Sequence, residues 1–301
     1  MEHVIIKILP IIALFVLGFF LKKVGIVNKR NADLLMKFVF FISLPAIMFI
    51  SVLHIEISIE LLYLTIIPVI IIFIMGIISF ITGKYLNLFD KDFGVFIVGI
   101  MIMNVGFTYP FIIAAYGEEG LARISFFNFS NALLTFTVTY YLACRYGNGK
   151  TNWGSIIKKL LLSFPLWALI FAVICNFFNF SISTNIENFF SVVGNLTVPL
   201  IMLSLGIYFT PKIINPKPFT LMIIIRQIGG LLIGIILIKI FQLKDLNAVI
   251  VIIGSSAPVG YNTLVFSTLE GLNKEFAASV VSFSLLIGII YIPILMFVFE
   301  I

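Results

Sequence analysis

The chain repeats part of its own pattern at a constant offset of 154 residues. Residues 43–48 read Ser-Leu-Pro-Ala-Ile-Met, and residues 197–202 read Thr-Val-Pro-Leu-Ile-Met. Further pairs are Val105-Gly106-Phe107 with Val259-Gly260-Tyr261, Gly117 with Gly271, Ser125 with Ser279, and Ser130 with Ser284. No gap is needed to align them, so the sequence predicts two structurally equivalent halves.

Composition places both halves in a membrane. The 301 residues are 61% hydrophobic and only 11% charged, with a mean hydropathy of +1.21. Soluble domains carry about 25% charged residues. The net charge of +6 does not indicate nucleic-acid binding, because the lysines lie in short loops rather than on one basic face. The expected surroundings are therefore a lipid bilayer, with no nucleic acid as partner.

Ten apolar stretches are long enough to cross a bilayer as helices, which takes about 20 residues each. They lie near 4–22, 33–53, 61–82, 92–114, 120–142, 156–178, 186–209, 218–241, 246–268 and 275–299. Their length and the lack of strict alternation favour helices over strands. The predicted fold class is an all-α membrane protein with ten transmembrane helices.

One long polar connector separates the two halves. It falls between spans five and six, so the first repeat is 1–145, the cytoplasmic linker 146–155 and the second repeat 156–301. Each half has five spans, an odd number, and the second half must therefore enter the membrane in the opposite orientation. The sequence thus predicts a 5+5 inverted repeat about a pseudo-two-fold axis in the membrane plane.

The distribution of lysine and arginine sets the orientation. One side of the membrane receives Lys22, Lys23, Lys29, Arg30, Lys37, Lys84, Lys91, Arg145, Lys150, Lys158, Lys159, Lys212, Lys217 and Lys274. The other side receives Lys7, Arg123, Lys239 and Lys244. The richer side is expected to be cytoplasmic, which places both termini outside the cell membrane.

Spans four and nine are interrupted near their centres. Residues 99–110 read Gly-Ile-Met-Ile-Met-Asn-Val-Gly-Phe-Thr-Tyr-Pro, and residues 254–263 read Gly-Ser-Ser-Ala-Pro-Val-Gly-Tyr-Asn-Thr. Proline and glycine weaken a helix, and the freed backbone groups must then bond protein, water or ligand. One such span suggests a simple kink. Two at matched repeat positions predict four half-helix ends that meet, whose N-terminal ends suit an anion.

The sequence resembles the auxin efflux carrier family at these same places. The matching stretches are 25–28, 31–49 with its Ser43-Leu44-Pro45, 104–107 followed by Pro110, and 257–262 followed by 277–279 and Pro293. The resemblance covers the whole chain. It departs in span four, where Thr108-Tyr109 stand before the proline in place of the family's additional glycine and longer spacing.

The resemblance implies a ten-helix fold shared with bile-acid symporters and some sodium/proton antiporters. In that fold spans 1, 2, 6 and 7 form a scaffold, often with a homodimer interface, while spans 3–5 and 8–10 form a moving transport domain. Spans four and nine cross where they break. The family's substrates are organic anions such as malate, malonate and auxin-like carboxylates.

Candidate substrate-binding residues lie at the two breaks and in the neighbouring spans. They are Asn104, Gly106, Thr108, Tyr109, Pro110, Pro258, Gly260, Tyr261, Asn262, Thr263, Arg226, Ser43 and Asn131. The expected hinge prolines are Pro45, Pro110, Pro199 and Pro258. An asparagine side chain offers two donors and one acceptor. Asn104 and Asn262 could therefore contact the substrate or cap the half-helices.

Arg226 is the most deeply placed charge in the sequence, and an ionisable residue inside a span indicates function. It could attract the anion, take the place of a bound cation by pinning the crossing helices, or extend to the cytoplasmic face. No aspartate or glutamate lies at the centre of a span. No metal site or cofactor is predicted, and the coupling ion stays open.

These observations favour a secondary transporter of small organic anions that works by elevator-type alternating access. The alternatives are a sodium-coupled importer of the bile-acid symporter type and a non-transporting receptor on the same fold. An intramembrane enzyme is not expected. The chain has no H-E-x-x-H motif and no paired aspartates in its spans, and the serines of the spans have no histidine beside them.

Overall fold

The computed structural model describes residues 2–56, 58–147, 154, 161, 163–180, 182–209 and 213–299, and within them the fold is helical. The α-helices are α1 (Glu2–Lys23), α2 (Lys29–Phe38), α3 (Leu44–Leu53), α4 (Ile59–Tyr85), α5 (Asp90–Met101), α6 (Val105–Leu134), α7 (Tyr140–Tyr146), α8 (Phe164–Phe177), α9 (Thr184–Gly194), α10 (Thr197–Tyr208), α11 (Pro216–Ile224), α12 (Gly230–Phe241), α13 (Asp245–Ser255), α14 (Asn262–Glu270) and α15 (Lys274–Val298). Turns of π-helix occupy Val39–Ser43, Thr135–Thr139 and Ile225–Gly229. The predicted all-α class is confirmed.

Among the residues that the structure describes, five helical segments are long and apolar enough to cross a membrane. They are Lys29–Leu53, Ile59–Tyr85, Thr184–Tyr208, Pro216–Phe241 and Lys274–Val298. Predicted spans four and nine are each divided into two helices, because the chain leaves helical geometry at their centres. Most of the predicted linker, and the predicted start of span six, lie outside the described residues.

Helix α4 illustrates why these segments belong in lipid. One face is buried at helical spacing and comprises Leu64, Ile67, Ile71 and Met75. The opposite face is also apolar yet exposed, and comprises Ile66, Phe73, Ile77 and Ile81. A helix that is apolar all round with one face uncovered is stable in hydrocarbon and not in water.

The bounds of the helices recur at the spacing seen in the sequence. A shift of 154 residues carries Asp90–Met101 to 244–255, where α13 covers Asp245–Ser255. Gly117 interrupts α6 with a φ of 61°, and its counterpart Gly271 follows α14 with a φ of 74°. Left-handed backbone of this kind ends a helix and favours glycine.

The chain divides into two units by its internal contacts. Unit 1 comprises Met1–Ser58, Tyr109–Phe126 and Leu162–Phe209, and unit 2 comprises Ile59–Thr108, Phe127–Leu161 and Thr210–Ile301. Unit 1 thus holds the predicted spans 1, 2 and 7 and most of span 6, and unit 2 holds most of the predicted spans 3–5 and 8–10. The segment Tyr109–Phe126 groups with unit 1, although it belongs to predicted spans four and five.

Unit 1 is held together by close helix packing at glycine. Helices α1 and α10 approach so closely that a Cβ atom on Gly18 would lie 2.2 Å from the carbonyl oxygen of Leu203. A Cβ on Gly206 would lie 2.0 Å from the carbonyl oxygen of Phe15. Small residues allow such contact between helices in a membrane.

Of the expected hinge prolines in unit 1, Pro45 and Pro199 stand in the first turn of a helix, whereas Pro110 lies inside α6. Pro45 occupies the first turn of α3, directly after the π-helical turn Val39–Ser43, and Pro199 is the third residue of α10. Pro199 costs α10 no hydrogen bond, because a missing N–H in the first turn would have no partner inside that helix. Pro45 lies within the continuous helical segment Lys29–Leu53, where the π-helical turn precedes it.

Gly206→Ala should lower the unfolding temperature of the purified protein in detergent, because the added methyl group overlaps the backbone of α1. Overpacking of this kind costs about 1–3 kcal/mol. Gly229→Ala is the matched control, since its Cβ would meet only Met75 Cε at 3.4 Å and Ile225 Cγ2 at 3.9 Å. Equal unfolding temperatures for the two variants would contradict the close packing of α1 and α10.

Candidate functional site

Two breaks in the helices of unit 2 form the candidate site. Helix α5 ends at Met101 and α6 begins at Val105, with extended backbone at Ile102 between them. Helix α13 ends at Ser255 and α14 begins at Asn262. We call residues 102–104 and 256–261 the paired breaks.

The paired breaks satisfy part of each other's backbone. The N–H group of Asn104 donates to the carbonyl of Pro258 at 2.9 Å, and the N–H group of Gly260 donates to the carbonyl of Ile102 at 3.1 Å. Met103 and Val259 stand opposite each other as an isolated antiparallel bridge. At membrane depth, irregular backbone is tolerated only where it is buried in protein or lines a water-filled cavity, and these bonds meet part of that need.

Gly260 is required by this close approach. A Cβ atom there would lie 2.1 Å from Ile102 Cγ2. Gly288 on α15 is equally constrained, because its Cβ would lie 2.5 Å from Pro258 Cγ and 2.9 Å from Phe107 Cε1. The two glycines therefore let three chain segments meet at the breaks.

The N-terminal ends of α6 and α14 point a positive partial charge toward the breaks. Within the described residues, the structure provides no hydrogen-bond acceptor for the N–H groups of Val105, Gly106 and Asn262. A Cβ on Gly106 would meet nothing within 4 Å, so open space adjoins this position. Asn104 and Asn262 are partly exposed there. This arrangement can accept a small anion.

Asn104 could contact the substrate or cap the half-helix, and the hydrogen bonds of its side chain distinguish the two roles. Asn104 occupies the N-cap position of α6, yet its side chain makes no capping hydrogen bond. Tyr261 holds the same position before α14, also without a side-chain cap, and 38% of its surface is exposed. The side chain of Asn104 is thus not committed to its own helix.

Three other candidates are buried, and one of them, Asn131, supports a break. Asn131 Nδ2 donates to the carbonyl of Met103 at 3.1 Å and to Asn128 Oδ1 at 3.0 Å. The buried hydroxyl of Thr108 donates to the carbonyl of Val105 at 2.8 Å, inside its own helix. Thr263 is fully buried, and its Oγ1 has no hydrogen-bond partner among the described residues.

Arg226 lies on the π-helical turn Ile225–Gly229 and is fully buried. Its Nη1 donates to the carbonyl of Ile100 at 2.7 Å, and its Nη2 donates to the carbonyl of Ser255. These carbonyls lie in the last turns of α5 and α13. The side chain therefore points to the breaks and does not extend to a membrane surface.

Two residues at the breaks are absent from the sequence-based candidates. Ser284 Oγ accepts from the N–H group of Val259 at 2.9 Å, and Gln227 Nε2 donates to the carbonyl of Ser284 at 3.3 Å. Ser284 matches Ser130 at the offset of 154 residues, and this match is the sequence feature that could have identified it. Gln227 adjoins Arg226 and had no signal of its own.

The remaining candidates lie in unit 1. They are Ser43, Pro45, Tyr109, Pro110 and Pro199. Ser43 is fully buried at the end of a π-helical turn, and its Oγ has no hydrogen-bond partner among the described residues. The paired breaks are built by unit 2 alone. No cluster of three or more His, Cys, Asp or Glu side chains able to hold a metal ion occurs in the described part of the chain.

Comparison with known proteins identifies the class. A family model described as "Membrane transport protein" matches residues 3–152 and 150–296. The chain belongs to this family, that of the auxin efflux carriers, and the resemblance seen in the sequence is thereby confirmed.

Two archaeal relatives extend over nearly the whole chain. An uncharacterized transporter of Methanocaldococcus jannaschii is 31% identical over 294 residues, 93% of this chain and 95% of the relative. An uncharacterized transporter of Methanothermobacter thermautotrophicus is 26% identical over 297 residues, 95% of each chain. The coarser prediction, a multi-pass membrane transporter rather than an enzyme, is confirmed.

Gly260→Ala should disrupt the paired breaks, because its methyl group cannot share space with the side chain of Ile102. The expected result is a lower unfolding temperature of the purified protein, because overpacking lowers the free energy of unfolding by about 1–3 kcal/mol. Gly106→Ala is the control, and its unfolding temperature should stay unchanged, since its Cβ would enter open space. A Gly260→Ala protein as stable as Gly106→Ala would show that the breaks are not in contact.

Proposed function

We propose that the protein is a secondary transporter that moves a small organic carboxylate across the cell membrane. One observation carries the proposal: the paired breaks present two helix N-termini whose first N–H groups have no acceptor among the described residues, with open space at Gly106. Such N-termini bind carboxylates and phosphates in many proteins. Membership of a membrane transport family supports the proposal.

The substrate carboxylate would lie between the N-terminal ends of α6 and α14. Its oxygens would accept hydrogen bonds from the N–H groups of Gly106 and Asn262 and from the side chains of Asn104 and Asn262. Each helix end carries about half a positive charge. Two ends together balance one carboxylate charge, and the substrate class that fits is a small organic acid such as malate, malonate or an auxin-like acid.

Alternating access of the elevator type would expose this site to each side of the membrane in turn. In this mechanism unit 2 carries the substrate, while the helices of predicted spans 1, 2, 6 and 7 stay as the scaffold. Ten spans in two inverted halves would supply the symmetry. The recurrence of helix bounds at a shift of 154 residues and the division of the chain into two units support this mechanism.

The membrane potential is sufficient to drive export. An anion gains about 2.3 kcal/mol per charge and per 100 mV when it moves outward across a membrane that is negative inside. Export of a monovalent carboxylate therefore needs no second ion.

Asn262→Ala should weaken substrate binding about 10- to 100-fold, because a hydrogen bond to a charged group contributes about 1.5–3 kcal/mol. The measurement is concentration-dependent flux of malate, malonate and an auxin-like acid in proteoliposomes. Asn185→Ala is the control, since Asn185 is an exposed residue of α9 in unit 1. An unchanged half-saturating concentration in Asn262→Ala would exclude Asn262 from the substrate site.

The proposed orientation can be tested by labelling intact cells with a membrane-impermeant maleimide. Cys144 and Cys175 are first replaced by alanine, because neither forms a disulfide bond and either thiol could react with the maleimide. Glu118→Cys, at an exposed position of α6, should react from outside. Gly149→Cys, in the linker outside the described residues, should react only after the cells are opened. Labelling of Gly149→Cys in intact cells would reverse the topology.

A further inference from the structure

The C-terminal ends of α5 and α13 meet at the paired breaks, and both need a cation. The last carbonyls of a helix have no partner inside it, and each C-terminal end carries about half a negative charge. Ile100 and Ser255 present such carbonyls, and Ser255 is fully buried. In an apolar interior these carbonyls need hydrogen-bond donors, and a positive charge between the two ends also offsets their mutual repulsion.

The Arg226 guanidinium provides that charge. Its two hydrogen bonds to protein groups in the described chain both go to these helix ends, one to the Ile100 carbonyl and one to the Ser255 carbonyl. Neither partner is a carboxylate. One full positive charge against two ends of about half a negative charge each gives a neutral junction.

The backbone around Arg226 is built for this contact. A Cβ on Gly230 would lie 2.1 Å from the carbonyl oxygen of Ser255 and 2.4 Å from Arg226 Nη2. A Cβ on Gly234 would lie 2.2 Å from Ser255 Oγ. Helix α12 therefore lies directly against the end of α13, and glycine is required at both places.

The arrangement occurs in one half of the repeat only. A shift of 154 residues relates Arg226 to Ile72, which lies within α4, an uninterrupted α-helix. The second half instead has the π-helical turn Ile225–Gly229 at this place. Turns of π-helix are often found at functional sites. The arginine is thus an addition to the packing shared by the two halves.

We propose that Arg226 is a built-in cation that joins the C-terminal ends of α5 and α13, so that transport requires no bound sodium ion. The statement about transport without sodium rests on the proposed function, whereas the statement that Arg226 joins the two helix ends does not. Arg226 acts as a positioning residue: it holds the breaks together and leaves the N-terminal ends of α6 and α14 to bind the anion. A metal ion at the junction would add a second positive charge that the two helix ends do not balance.

The test is chemical rescue of Arg226→Ala by guanidinium ion. Two buried carbonyls lose their donors in this variant, so its flux of malate or malonate should fall at least about tenfold and its unfolding temperature should drop. Guanidinium chloride at non-denaturing concentration should restore both, and equal concentrations of urea or tetramethylammonium chloride should not. Arg226→Lys should keep part of the flux, and Arg226→Gln should resemble Arg226→Ala.

Arg145→Ala is the control, because Arg145 is an exposed arginine at the end of α7. Guanidinium should leave its unfolding temperature and flux unchanged. If guanidinium fails to raise the unfolding temperature of Arg226→Ala, or if Arg226→Gln equals wild type, the built-in cation is excluded.

Sodium dependence distinguishes the two proposals. Wild-type flux should be the same in sodium and in choline buffers. A strict sodium requirement would overturn the inference about Arg226 and leave the transporter function intact. Absence of flux for every acid would instead count against the proposed function, while rescue of the unfolding temperature would still test the junction.

Discussion

The structure of unit 2 depends on how backbone groups are satisfied where two helices are interrupted. Each break frees N–H and carbonyl groups that a membrane interior does not solvate. The hydrogen bonds from Asn104 to Pro258 and from Gly260 to Ile102 solve part of this problem by pairing one break with the other. The pairing in turn requires glycine at 260, since any side chain would collide with Ile102.

Pairing the breaks also brings four helix ends together, and their partial charges determine what each can bind. The C-terminal ends of α5 and α13 receive the Arg226 guanidinium. The N-terminal ends of α6 and α14 keep N–H groups without acceptors among the described residues, beside open space at Gly106. Under our proposals, one side of the junction is neutralised permanently by the protein and the other is neutralised by the substrate.

Much of this organisation can be predicted from the sequence. The helical class follows from long apolar stretches, and the places where the helices break follow from glycine, proline and asparagine at repeated positions. These features are local, so they can be recognised from the residues alone. The family resemblance added the transporter class, which the comparisons confirm.

Side-chain direction could not be predicted, because it depends on tertiary contacts. Arg226 had three open interpretations, and the structure shows its guanidinium bonded to the carbonyls of Ile100 and Ser255 at two helix ends. Thr108 looked like a ligand, yet its hydroxyl bonds its own helix. Ser284 Oγ accepts from the N–H group of Val259, and Gln227 donates to the carbonyl of Ser284, so both contacts join residues far apart in the sequence.

The central claim is that this protein carries a small organic anion, and electrical recording from purified protein in liposomes on a solid-supported membrane tests it most directly. Small mono- and dicarboxylates would be applied one at a time, with and without sodium, beside the Asn262→Ala protein. The account predicts a saturable current for at least one carboxylate that survives removal of sodium and weakens in the variant. Currents of equal size in wild type and Asn262→Ala, or currents with cations alone, would contradict it.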